Sequence, residues 1–541
     1  GACVYCKSLK VRCEFIASAK SCKRCQNSGQ PCIPRGRKKR KPALTQEELE
    51  QKSYEQDSRI KQLLQQLQRS QAENKYRDWV KNAPSYIEWL EGHISPRASF
   101  RVKFYFLSIT IPGTPASSAL CPPNIIRYCA LYPAEILELF TLYVSSNRLA
   151  LSLIFARYFK MINPAFSLLD PDHHTPSNLI WSSPFLFSVV CALASRHYTK
   201  RNIYTLAMSF AGDSAAQALI SPLKNTETCQ AYLLLSVYPI PRKRLAEDRS
   251  WIFMGVAFSL ARELGLDDNP PASLDEREKL NRTRTWLNCF CVDGSYSTQS
   301  AKLPMISRND YMAFQSRNWY ISSPLNLTVD AHLCWYVHAI TAMLEYQADM
   351  HRLREQGVAF DVVSRSITYD LQLCKICQEW NKRLETHPST HSMCICWMSR
   401  SSRALMVIAA YMRLAMLSQA FQHDSACRTS SESYIPRESI YCARTVIRIV
   451  VQRLFTTGRL RYALESHFLF AAFAAAFLLN LMSPEHLIVF DDTIQDCNAA
   501  LVRELIHVLG SDACAVDGRH SPALYSRFLS CLLGKYESRR R

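Results

Sequence analysis

Six cysteines crowd the first 32 residues in a repeated order: Cys3, Cys6 and Cys13, then Cys22, Cys25 and Cys32. Each triplet reads C-x2-C-x6-C. A C-x2-C pair sets two thiolates on one tight turn, which suits a tetrahedral metal. A peptide of about thirty residues cannot build an apolar core, so a chain that starts this way draws its folding energy largely from metal binding. Two tetrahedral zinc ions need eight ligand positions, and six cysteines fill eight only where two of them bridge. That count assigns two Zn²⁺ to the six cysteines. It gives the bridging positions to the first cysteine of each triplet, Cys3 and Cys22.

The formal charge of +19 is unevenly placed. Residues 1–45 carry twelve Lys and Arg against one acid, Glu14. A cationic head of this density points to a polyanion, with nucleic acid the first candidate. The remaining sixteen cysteines are scattered, mostly inside apolar runs, and no secretory signal is visible, so a disulfide framework is not expected. The chain opens on Gly1 without Met, two residues before the first ligand, and reads as a fragment or an incomplete gene model.

The organisation follows from composition. Residues 1–34 are the cysteine module and 35–45 a basic linker. Within it Arg35, Arg37, Lys38, Lys39, Arg40 and Lys41 form a run that can serve as a DNA-phosphate arm, a nuclear import signal or a solvated linker. Residues 46–77 lack Gly and Pro and read as a helix. Ile60 and Leu67 at a with Leu49 and Leu63 at d make a short coiled coil, diluted by Gln46, Ser53, Gln56 and Ser70, which can act as a dimerisation helix or a monomeric spacer. Residues 78–159 form a linker region. Within them 144–157 is an abrupt, unpatterned insert whose Val144-Ser145 matches a translated splice donor, so it is read as a retained intron that a transcript across the site would test.

Residues 160–541 read as an all-α body. Apolar residues recur at helical spacing through Ile203, Ala207, Phe210, Ala211 and Ala215, and again from Ile252 to Leu264 with Gly265 as the stop. Further helices are expected near 183–197, 225–238, 276–298, 328–350, 403–420, 440–456, 463–481 and 494–509. The fold class is therefore a small irregular/α zinc-cluster domain, a short coiled coil, then a large all-α domain. The twelve apolar residues at 468–479 are too few for a membrane span and read as a buried core helix. Cys374 and Cys377 sit in a helical pattern, and a second metal site with His387, His391, Cys394 and Cys396 is not expected. His173 and His174 read as a helix-entry loop. No motif of a hydrolase, kinase, nucleotide binder or metalloprotease is present, and no enzyme is expected.

Residues 3–32 resemble the binuclear zinc-cluster domain of fungal transcription factors, through "CVYCKSLKVRC" and "CKRCQNSGQPC". The resemblance implies that the first helix enters the DNA major groove and reads a CGG triplet. It makes Lys10, three residues before the third cysteine, the principal base contact, and a lysine donating to guanine O6 and N7 is sound chemistry. Lys7, Arg12, Lys23 and Arg24 would then hold phosphates. Leu9 departs from an often basic position, and the loop between Cys13 and Cys22 lacks the family's usual proline. In the body, "SPFLFSVVCALASRHY", "DRSWIFMGVAFSLARELGL" and "RTRTWLNCFCVD" resemble the middle homology region of the same regulators, over roughly 160–320. Gly294 stands where that family usually has arginine.

These readings converge on a nuclear, sequence-specific DNA-binding regulator of RNA polymerase II genes. It would read CGG-type half-sites in double-stranded DNA as a homodimer, with a possible small-molecule effector on the body and no membrane partner. The alternative from another class is an all-α metabolite sensor whose zinc head contacts protein or RNA.

Overall fold

The computed structural model describes residues 2–15, 19–34, 56, 59, 123–127, 131, 158–198, 203–220, 224–239, 249–300, 302–355, 362–386, 402–423, 433–481 and 492–540. The basic run at 35–41 and the insert at 144–157 lie outside them, as does the helix expected over 46–77 apart from Gln56 and Arg59. The chain divides into two units, 1–71 and 72–541.

Among the described residues the cysteine module of the first unit forms two helices of five residues each, α1 (Val4–Ser8) and α2 (Lys23–Asn27). Helices this short do not persist on backbone bonds alone. Sulfur starts both: Cys3 Sγ accepts from the Cys6 N–H at 3.4 Å, and Cys22 Sγ accepts from the Cys25 N–H at 3.5 Å. The four buried cysteines Cys3, Cys6, Cys22 and Cys25 form the core of this unit.

The second unit is a stack of helices, with no strand among the described residues. Its longer helices are α3 (Pro184–Ser195), α4 (Tyr204–Ile220), α5 (Thr226–Val237), α6 (Ser250–Glu263), α7 (Glu276–Ser300) and α8 (Asp330–Glu355). After them come α9 (Val362–Thr386), α10 (Ser402–His423), α11 (Tyr434–Ile449), α12 (Glu465–Asn480), α13 (Asp492–Gly510) and α14 (Ser521–Arg540). Neighbours in sequence pack as pairs: α3 on α4, α5 on α6, α7 on α8, α10 on α11, α13 on α14. Local chemistry sets the boundaries. Asn225 caps α5 by accepting from the Thr228 N–H at 2.8 Å. α6 stops where Gly265 turns left-handed at φ 63°, and the Leu266 N–H closes back on the Ala261 carbonyl at 2.9 Å.

Two apolar cores fill this unit. One gathers α3 to α9, with Trp286, Trp335 and Trp380 among its largest side chains. The other gathers α10 to α14, and α12 is buried along most of its length. Ile408 of α10 packs against both. Among the described residues no helix is long and apolar enough to cross a membrane.

Buried charge pairs fix helix order inside this apolar stack. Arg284 of α7 grips Asp330 of α8 through two bonds of 2.7 and 2.9 Å, with both side chains fully buried. Arg413 of α10 holds Asp370 of α9 at 2.6 and 2.9 Å and Glu438 of α11 at 2.9 Å. Breaking such a pair strands a buried charge, which costs about 3–5 kcal/mol. Close approach is settled by size: a Cβ on Gly294 would sit 2.3 Å from Ile340 Cγ2 across the α7–α8 contact. The glycine that departs from the resembled family is therefore demanded by packing in this chain.

Four histidines of this unit are held neutral. Burial pushes His174, His332 and His467 down to about 4 and His520 to about 2. His173 moves the other way, raised chiefly by its hydrogen bond to Glu227. A histidine with a depressed folded pKa stabilises fully above the unfolded value near 6.5 and loses that contribution as pH falls towards 4. Over that window the unfolded chain takes up protons that the folded chain refuses. His173 has the opposite sign, its contribution being complete below 6.5 and lost as pH rises. Burial lowers His338 as well, and these five histidines outnumber His173 and the burial-raised Glu278 and Asp293, which act with the opposite sign, each group being worth up to about 1.4 kcal/mol per pH unit. All nine tryptophans lie at or beyond residue 79, so their fluorescence reports on this unit alone. The urea midpoint read by tryptophan fluorescence is expected to fall steadily from pH 7 to pH 4; an unchanged midpoint would contradict the buried neutral histidines.

Candidate metal centre and nucleic-acid interface

The two cysteine triplets fold as copies of one another. Cys3 and Cys22 lie nineteen positions apart, and the same offset relates the hydrogen bonds of the two halves. The Cys3 N–H donates to Cys13 Sγ at 3.5 Å, and the Cys22 N–H to Cys32 Sγ at 3.4 Å. The Val4 N–H donates to the Ile33 carbonyl at 3.1 Å, and the Lys23 N–H to the Glu14 carbonyl at 2.9 Å. Each half thus lays its own third cysteine beside its first, and each helix start is tied to the far end of a loop.

The result brings all six sulfurs together. Cys3, Cys6, Cys13 and Cys22 form one group and Cys3, Cys22, Cys25 and Cys32 another, the ligand atoms of each lying within 4.8 Å of one another. Cys3 and Cys22 belong to both. Sulfurs bound to one tetrahedral zinc at about 2.3 Å stand about 3.8 Å apart. Here Cys3 Sγ lies 4.0 Å from Cys22 Sγ and 3.5 Å from Cys25 Sγ, and Cys6 Sγ lies 3.5 Å from Cys22 Sγ. None of the six is in a disulfide. The donor set therefore fits zinc in chemistry and in spacing, and these six cysteines are the residues that could hold it.

The thiols themselves show why a cation belongs there. The Cys25 N–H lowers the Cys22 thiol to about 6, and the Cys6 N–H lowers that of Cys3. Burial, with the neighbouring Cys22, pushes Cys6 up to about 12 and Cys25 higher still. Six sulfurs at these distances cannot all ionise against one another. A divalent ion removes that conflict by favouring the thiolate at every ligand.

Lys7 lies on α1, exposed. Lys10 lies beyond the helix end, not on it. Leu9 is the cap, the Lys10 N–H returns to the Lys7 carbonyl at 3.0 Å, and the Val11 N–H to the Cys6 carbonyl at 3.0 Å. This closure places Lys10 in the left-handed region at φ 53°. In the other half the same position is Gly29 at φ 64°. A side chain with a Cβ pays roughly 1–2 kcal/mol for that conformation, which glycine avoids. Lys7 and Arg12 likewise face Gln26 and Pro31 in the second half. Lys23 and Arg24 open α2 and are exposed. Among the described residues none of these five cations has an acidic partner. Spacing alone could not reveal the strain at Lys10, because it depends on where α1 stops.

The rest of the chain offers a weaker cluster. His173, His174 and Glu227 lie close enough to ligate one ion. Both ring nitrogens of His174 are already engaged, Nε2 with Gln230 Oε1 and Nδ1 with Asp170, each at 3.0 Å. Gln230 continues the network to Asn281 and Thr285. The pair occupies the loop that enters the short helix Pro176–Ser182, as its sequence context indicated. Cys374 and Cys377 lie on α9 with their thiols raised by burial, Cys377 to about 11. His387, His391, Cys394 and Cys396 fall outside the described residues.

Comparison with known proteins speaks to the body. Residues 156–312 match the fungal specific transcription factor domain, in register with the stretch of roughly 160–320 singled out by its motifs. The chain carries a fungal specific transcription factor domain. It is 25% identical over 370 residues to protein priB of Lentinula edodes, covering 66% of this chain and 57% of that protein. It is 27% identical over 151 residues to the transcriptional regulatory protein SEF1 of Candida albicans, covering 26% and 16% respectively. It is 29% identical over 150 residues to the nitrogen assimilation transcription factor nit-4 of Neurospora crassa, covering 25% and 13%. The chain thus spans little more than half of priB and under a fifth of the other two. No solved structure matches it significantly.

The strain at Lys10 has a measurable consequence. Lys10→Gly is expected to stabilise the zinc-loaded head by about 1 kcal/mol, read as slower zinc release to a chelator, while Lys10→Ala leaves release unchanged. Equal release rates for the glycine and alanine variants would show that the left-handed backbone costs nothing.

Proposed function

We propose that this protein is a nuclear, sequence-specific DNA-binding transcription regulator. Two Zn²⁺, held by Cys3, Cys6, Cys13, Cys22, Cys25 and Cys32, stiffen its head so that Lys10 reads a CGG-type triplet. The observation that carries this reading is the lysine at a glycine position. One half of a near-symmetric module uses Gly29 in the left-handed turn and the other half uses Lys10. Strain retained at one exposed charge points to a use for that charge. The fungal specific transcription factor domain at 156–312, and relatives named as transcription factors, give the same direction.

The remaining parts take supporting roles. Lys7, Arg12, Lys23 and Arg24 hold phosphates, and so do Arg35, Arg37, Lys38, Lys39, Arg40 and Lys41, a run that also suits nuclear import. The 46–77 segment pairs two chains through its apolar seam, presenting two heads to two half-sites. The all-α body regulates rather than catalyses, and a small-molecule effector acts on it.

Selection of bound sequences from a random duplex pool, with the full chain, is expected to enrich CGG. Lys10→Ala should cost about 1–3 kcal/mol on the enriched site and almost nothing on unrelated DNA. Equal loss on every sequence would place Lys10 on a phosphate, and sequence-blind binding by the parent chain would favour a head that contacts protein or RNA. Native mass spectrometry should count two zincs in the parent chain and none retained by Cys22→Ala, since that sulfur serves both groups. A Cys22→Ala chain that keeps two zincs would refute the shared-sulfur arrangement.

A further inference from the structure

Where the two apolar cores of the body meet, they leave a cavity of about 390 Å³. Its walls come from α5, α6, α7, α8, α10, α12 and α14, together with the segment at 164–167. Met254 and Leu333 on one side belong to the first core, and Phe470 on the other to the second. Ile408, which packs against both, lines it as well. This is the size of a pocket for a small organic molecule.

The wall chemistry restricts what can enter. No lysine or arginine lines the cavity among the described residues, and its one carboxylate is Glu465. A carboxylate or phosphate buried here would find no counter-charge, and burying an unpaired anion is prohibitive. His332 Nδ1 is buried without a hydrogen-bond partner, and burial keeps the ring neutral at pH 7. A native interior rarely leaves such an atom orphaned unless something else meets it.

We propose that this cavity binds an uncharged, mainly apolar small molecule whose single hydroxyl or carbonyl group bonds to His332. The inference gives a site and a chemical class to the effector named above, and it rests on that reading for its regulatory meaning. A ligand seated there touches both cores at once. Its binding would therefore bias the spacing of α7 and α12, the kind of differential contact that lets a small molecule shift a conformational equilibrium.

The test uses the full chain without DNA and prodan, an uncharged naphthyl ketone whose emission shifts to the blue in apolar surroundings. Saturable, one-site binding is expected. The anionic dye anilinonaphthalene sulfonate should bind about tenfold more weakly, for want of a cation. Val292→Trp, which fills the cavity from α7, should lower prodan affinity about tenfold or more. Ser236→Leu does the same from α5 should the tryptophan variant fail to fold. His332→Phe should weaken prodan about tenfold while leaving the hydrocarbon pyrene unchanged, because only the hydrogen bond is lost. Non-saturable prodan uptake, equal binding by folded filled variants, or equal loss of prodan and pyrene on His332→Phe would each overturn the proposal. Binding of a CGG duplex is measured on the same preparations. Lost duplex binding with intact prodan binding counts against the DNA reading alone, and the reverse counts against the cavity alone.

Discussion

Six sulfurs hold the amino-terminal head, and its other features follow from their placement. Among its described residues the cysteine module buries almost nothing but cysteine, and α1 and α2 are five residues long. Neither apolar burial nor helix propensity can order such a peptide. The sulfurs act in two directions at once. Cys3 and Cys22 cap the two helices through backbone N–H groups, and they also stand in both four-sulfur groups. Helix starts and ligand geometry are thus set by the same two atoms, so losing either would loosen a helix as well as both groups.

The body solves the opposite problem. It has apolar surface in excess, and helices rich in Ala, Leu and Phe could slide past one another at little cost. Arg284 with Asp330, and Arg413 with Asp370 and Glu438, remove that freedom. A buried ion pair adds little net stability, but a helix shifted by one turn would leave each charge unpaired. Gly294 adds a steric key to the same α7–α8 contact. The body is therefore ordered by a few polar and steric constraints laid over a generic apolar stack.

Much of this is legible in the sequence. The doubled cysteine spacing is a covalent pattern that tertiary context cannot override, and the amphipathic periods from Ile203 and Ile252 fall on α4 and α6. Other features were hidden for identifiable reasons. α9 was legible only through the helical pattern around Cys374 and Cys377, and α14 carries charge near its end, so it did not stand out as an apolar run. The conformation of Lys10 depends on α1 starting at a sulfur cap and ending at Leu9, two events no propensity reports. Gly294 looked like a departure from a family pattern, and only the approach of Ile340 shows what the glycine does. The His332 nitrogen became conspicuous only once its surroundings showed that nothing answers it.

The two halves of the head share backbone, caps and ligand order, yet differ in what they present. The first half shows Lys7, Lys10 and Arg12 where the second shows Gln26, Gly29 and Pro31. Sulfur placement cannot be the cause, because the two halves share it. If charge served only to draw a polyanion, its position would not matter, and the run of cations at 35–41 already supplies charge. A rigid support makes physical sense where a cation must arrive at a fixed position and orientation. Lys10 holds a strained backbone, and it lies between Cys6 and Cys13 of one four-sulfur group. Strain and charge therefore coincide at one residue, as the proposed discrimination between base edges would require and the gripping of a uniform phosphate backbone would not.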